Sequence, residues 1–120
     1  MVLAVVDDLL FQSKIRAMAQ ASGREIVFAR RRDAAVAAMV ERHPDLVIVD
    51  LDREALDPIG FIREVKQSPE LAVTPIVGFG SHVQAARLQS ARDAGCDRVM
   101  ARSGFVAALP GLLGPEGDPA

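Results

Sequence analysis

The stretch DLVIVDLD, residues 45–52, decides how this chain folds. Leu46 to Val49 present no polar face, and so short an unbroken apolar run reads as a strand buried on both sides. The run stops at Asp50. VLAVV (2–6) has the same character and stops at Asp7 and Asp8. EIVFA (25–29), IVGF (76–79) and RVMA (98–101) supply three further strand candidates.

Helical patterns separate them. Residues 9–21 place Leu10, Ile15, Met18 and Ala19 at near-helical spacing before Ser22-Gly23. Asp33 is positioned to cap an Ala-rich helix to Arg42, which His43-Pro44 stops. Pro58 can open a helix that carries Ile59, Ile62, Val65 and Lys66 and runs to Ser68-Pro69. Residues 83–94 form the next helix, ended by Gly95, and 105–113 the last, weakened or kinked by Pro110. Residues 114–120 are expected to fray. Five buried strands joined by helical crossovers predict one α/β domain over 1–113, a doubly wound five-stranded parallel sheet in a three-layer α/β/α sandwich.

Composition agrees with a single packed domain. The chain has 120 residues, half of them hydrophobic, which suits one core and leaves no room for two. A net charge of −2 gives no electrostatic reason for nucleic acid or an anionic membrane as partner. Trp and Tyr are absent, which argues further against stacking on bases. The single cysteine, Cys96, suits a reducing compartment and a buried packing role. No apolar stretch reaches membrane-spanning length, so the expectation is a cytoplasmic protein.

The chemistry gathers at strand ends. In an open parallel sheet the site lies beyond the carboxyl ends of the strands, where strand order reverses. If the first and third strands are neighbours, Asp7, Asp8 and Asp50 converge there. Like charges at close quarters resist ionisation, and a hard divalent cation, Mg²⁺ by preference, removes that cost. Aspartates at strand ends also serve as ordinary helix and turn caps, and either end alone would be read that way.

At this point the sequence resembles the receiver domain of two-component response regulators, a CheY-like, flavodoxin-like fold. The resemblance rests on VVDD at the first strand, DLVIVDLD with Asp50 as phosphoacceptor, Asp57 seven residues on, TPIV (74–77) and AGCDRVMAR (94–102). It implies a phosphorelay: Asp50 takes a phosphoryl group from a histidine kinase or a small phosphodonor. Asp8 and Asp50 would bind Mg²⁺ with the backbone carbonyl of Asp52, and Asp7 would act through water. Beyond self-phosphorylation and autodephosphorylation, the resemblance implies no enzyme. Output would pass to a partner protein through the face of the fourth helix, fifth strand and fifth helix; a homodimer is compatible with it.

The chain departs from the family pattern at several positions. Gly80 stands where a Ser or Thr hydroxyl is expected, and Ser81 could replace it only after a one-residue shift of the loop. Arg102 replaces a lysine; its planar fork can bridge carboxylate and phosphate, so the exchange is not conservative. Val99 replaces the switch aromatic. Asp52 adds an acid at the pocket mouth, and Arg53 beside it reads as a solvated loop residue, with partial neutralisation of Asp52 as the alternative. The run ARRR (29–32) likewise reads as a solvated loop, and His82 and His43 as surface or helix-end residues. These departures define the alternative, a pseudo-receiver that binds proteins independently of phosphorylation, with Arg102 filling the place of the phosphate. The Asp50–Asp52 spacing also resembles the nucleophile motif of haloacid-dehalogenase-type phosphatases, but Glu54 and Ala55 offer no downstream hydroxyl.

Overall fold

The structure, a computed structural model, describes residues 1–114. Five strands, β1 (Val2–Val5), β2 (Ile26–Ala29), β3 (Leu46–Asp50), β4 (Ile76–Gly80) and β5 (Arg98–Ala101), form one sheet. Five helices alternate with them: α1 (Leu9–Ala21), α2 (Arg32–Arg42), α3 (Pro58–Gln67), α4 (Ala85–Asp93) and α5 (Arg102–Leu112). The strand order is β2-β1-β3-β4-β5 and every pairing is parallel. The doubly wound sandwich read from the sequence is therefore the fold. Apart from Gly114, the tail expected to fray lies outside the described residues.

The period of two along each strand splits the core in two. Leu3, Val5, Val47 and Val49 point to α2, α3 and α4, where Met39, Phe61, Ile62, Val65 and Ala91 meet them. Val2, Ala4, Leu46, Ile48, Val77 and Phe79 point to α1 and α5, against Phe11, Ile15, Phe105 and Leu109. Gly78 is needed because a Cβ there would come within 2.9 Å of the buried Leu51 side chain.

Helix starts differ from the expectation. Asp33 does not cap α2; Arg31 holds the cap position in extended geometry and Asp33 lies in the first turn. α4 begins at Ala85 rather than at residue 83. α5 begins at Arg102, directly after β5, and runs through Pro110 to Leu112. That early start fixes Arg102 at the sheet edge instead of in a loop. Asp57 takes a left-handed conformation with φ 46°, and its carboxylate accepts from the Gly60 N–H as the cap of α3, with Pro58 at the first helical position.

Candidate functional site

β1 lies between β2 and β3, so strand order reverses between β1 and β3, and their register pairs Val5 with Val49. The carboxyl ends of both strands thus open on one crevice, where the charge of Asp8 acts on Asp50, while the Asp7 carboxylate pairs with Arg30 and Arg53.

Asp50 is only 3% exposed. Its Oδ1 accepts from the backbone N–H of Asp52 at 2.9 Å, and Arg102 Nη2 stands 3.6 Å from the same oxygen. Burial pushes the Asp50 carboxyl above the usual carboxylate range; the Asp52 N–H and Arg102 oppose that rise, while the charges of Asp52 and Asp8 add to it. Asp8 caps α1, its Oδ1 accepting from the N–H groups of Leu10 (2.9 Å) and Phe11 (3.1 Å).

Asp7 and Asp52 are held by guanidinium groups. Arg30 Nε donates to Asp7 Oδ1 at 2.8 Å, and Arg53 Nη2 to Oδ2 at 3.1 Å. Those two arginines hold the Asp7 carboxyl below its ordinary value. Arg30, Arg31 and Arg53 are exposed, as expected of solvated residues, yet Arg53 and Arg30 clamp Asp7; Arg32 lies in α2 rather than in a loop and joins Asp57 to Glu64 across α2 and α3.

The Ser81 N–H donates to both carboxylate oxygens of Asp52, at 3.0 and 2.8 Å, and Arg102 Nη2 donates to Oδ2 at 3.1 Å. Arg87, in α4, donates from Nη1 to the Asp52 carbonyl at 3.2 Å and from Nη2 to Glu54 at 3.0 Å. Sequence reasoning missed Arg87, and no local signal could have found it, because its partners lie in another loop. Arg102 is also fixed from beneath: its guanidinium carbon lies 5.0 Å from the Phe11 ring centre and 5.3 Å from that of Phe79. Phe79 in turn stacks on Phe105 with centroids 4.3 Å apart.

The other expected positions are readily located. Gly80 ends β4, and a Cβ there would lie 3.0 Å from Asp52 Oδ1 and 3.1 Å from Leu88 Cδ2. Ser81 takes part through its backbone N–H rather than through a shifted loop. Val99 is half-buried and packs on the core shared with α4. His82 is exposed. Cys96 is buried, its Sγ 3.1 Å from the Arg98 carbonyl oxygen, and burial pushes the thiol up to about 11.

Among the described residues, no three His, Cys, Asp or Glu side chains are grouped as a metal cage. Of the four acids expected around a cation, Asp7 and Asp52 are engaged by arginines, whereas Asp8 and the buried Asp50 repel each other across the crevice. That pair supplies hard oxygen donors and an excess of negative charge, the chemistry that suits a divalent cation such as Mg²⁺.

No protein-family model matches the chain. Among curated proteins, the polar-differentiation response regulator DivK of Brucella ovis is 24% identical over 101 residues, covering 84% of this chain and 82% of that protein. Among solved structures, the Mn²⁺-bound form of response regulator Rcp1 superposes with a TM-score of 0.81 at 17% identity, covering 99% of this chain and 95% of that one. The chemotaxis response regulator CheY4 of Vibrio cholerae gives 0.80 at 20% identity, covering 93% of each chain. The fold is that of response regulator receiver domains, as the sequence resemblance implied. No helix among the described residues is long and apolar enough to cross a membrane.

Proposed function

We propose that this chain is a phosphorelay receiver that accepts a phosphoryl group on Asp50 and passes the signal to a partner protein. The observation that carries the reading is the position of Asp50: nearly buried, at the switch point of a receiver fold, facing Asp8 from the neighbouring strand end.

Asp50 attacks the phosphorus of a phosphohistidine on a histidine kinase, or of a small donor such as acetyl phosphate. An Oδ–P bond forms as the donor's P–N or P–O bond breaks, and the bonding pair leaves on the donor nitrogen or oxygen. The burial that raises the basicity of Asp50 also strengthens it as a nucleophile. The Asp52 N–H, which donates to Oδ1 at 2.9 Å, orients the carboxylate. Arg102, 3.6 Å away, offers positive charge to the incoming phosphoryl oxygens. Mg²⁺ held by Asp8 and Asp50 would neutralise charge on the carboxylates and the phosphoryl oxygens. The product is a signalling state rather than the intermediate of a turnover cycle. The face of α4, β5 and α5 would carry the output, and a cytoplasmic location alongside the kinase follows from the same reading.

Incubation with acetyl phosphate and Mg²⁺ should add the mass of one phosphoryl group to the intact protein, and Asp50→Asn should abolish the addition. An unchanged mass, together with no beryllofluoride-induced shift of the Asp50 and Asp52 amides, would reject the reading. The alternative of a phosphorylation-independent interaction module, with Arg102 bridging Asp50 and Asp52, would then stand.

A further inference from the structure

Three hydrogen-bond donors lie around the carboxyl end of β3: the Asp52 N–H, which donates to Asp50 Oδ1, the Arg102 guanidinium, 3.6 Å from that oxygen, and the Ser81 N–H, which reaches Asp52. A phosphoryl group carried on Asp50 needs such donors for its oxygens. Two of the three are already committed to one anion, the side chain of Asp52. Its carboxylate takes the Ser81 N–H on both oxygens and Arg102 Nη2 on Oδ2. It also fills the space a side chain on Gly80 would occupy, since a Cβ there would lie 3.0 Å from Asp52 Oδ1.

We propose that Asp52 is a tethered anion that occupies the phosphoryl subsite beside Asp50 and must be displaced before a phosphoryl group can settle there. This inference rests on the receiver reading of Asp50 and deepens it. The tether is short: Asp52 follows Asp50 by two residues, so its carboxylate competes as an intramolecular ligand at high effective concentration. Displacement has a structural output. Arg87 of α4 donates to the Asp52 carbonyl and lies 3.9 Å from Asp52 Oδ1. A phosphoryl group that drew Arg102 and the Ser81 N–H to itself would swing the Asp52 carboxylate out and change what holds Arg87. With no hydroxyl at position 80 and a valine at position 99, this acid supplies the moving part between Asp50 and α4.

The test compares wild type with Asp52→Ala and Asp52→Asn, each first checked for a cooperative thermal melt by circular dichroism. Sulfate, the probe anion, is titrated at constant ionic strength while the Ser81 amide is followed by NMR. A saturable shift of Ser81 is expected in Asp52→Ala, a weaker one in Asp52→Asn and none in wild type. Phosphorylation by acetyl phosphate with Mg²⁺ is expected to run about five-fold faster in Asp52→Ala, the factor set by releasing one partly exposed charged contact. A sulfate response equal in wild type and Asp52→Ala, or absent from both, overturns the inference. So does phosphorylation that proceeds in both proteins at the same measurable rate. If no variant is phosphorylated while the sulfate response stays confined to the Asp52 variants, the receiver reading falls and the tethered anion stands.

Discussion

Replacing Arg102 by methionine should destabilise the fold in a manner that depends on pH. The guanidinium contacts two carboxylates, Asp52 at 3.1 Å and the buried Asp50 at 3.6 Å, and lies over two phenylalanine rings. The Asp52 contact is partly exposed and contributes about 0.5–1 kcal/mol. Leaving Asp50 without its counter-charge costs about 1–2 kcal/mol, below the usual range for a broken buried pair because Arg102 is itself 37% exposed. Methionine keeps much of the contact with the rings. The loss at about pH 7 is therefore about 2 kcal/mol, a fall in Tm of about 8 °C for a chain of this size. Burial raises the folded-state value of Asp50 above its ordinary 3.8, so the folded form binds the extra proton and Asp50 costs stability at neutral pH. Arg102 lowers that cost. As pH falls through the folded-state value, the carboxyl becomes neutral and the difference between variant and wild type should shrink. Urea unfolding followed by far-UV circular dichroism suits a chain without Trp or Tyr, with EDTA present to exclude bound cations. An equal loss at about pH 7 and about pH 4, or an undiminished loss in an Asp50→Asn background, would refute this account.

Asp8→Ala should lower stability by about 1 kcal/mol through loss of the α1 cap, whereas Asp8→Asn, which keeps an acceptor for the Leu10 and Phe11 amides, should lose only a few tenths; thermal melts separate the two. Arg30 and Arg53 hold the Asp7 carboxyl below 3.8, so the stabilisation it lends is present above the unfolded value and lost as pH falls through the folded one. Carbon-detected NMR titration should show the Asp7 carboxyl moving upward in Arg30→Ala and again in Arg53→Ala, and no movement would show that the clamp does not form in solution. Cys96, with its thiol pushed up to about 11, should resist Ellman's reagent at about pH 8 in the native protein and react at once in urea; rapid native labelling would contradict its burial.

The sheet was legible in the sequence because its three central strands are buried on both faces. Residues 2–6 and 46–49 have no polar position to hide, and the turns that lead from each helix into the next strand carry Gly or Pro punctuation. Helix starts without a side-chain cap were not legible. Arg31, Gln84 and Ala101 hold cap positions without a side-chain hydrogen bond, so nothing in residue type marked the beginnings of α2, α4 and α5. The placement of Asp7, Asp8 and Asp50 at neighbouring strand ends followed from topology alone. Their partners did not. Arg53 reaches Asp7 across 46 residues and Arg102 reaches Asp52 across 50, and a charge pattern read along the chain cannot choose among distant partners. For that reason Asp52 was read as one more acid at the pocket mouth, when the Ser81 N–H and Arg102 both hold its carboxylate.

The bare end of β4 links two positions that lie far apart in the chain. The volume over Gly80 is filled by the Asp52 carboxylate and by Leu88, so neither position can change freely without regard to the other. A threonine at 80 would press on the acid it was meant to assist, which would have to give by a few tenths of an ångström, and shortening the acid alone would leave Gly80 without that contact. A hydroxyl at 80 therefore fits this site best when position 52 changes with it.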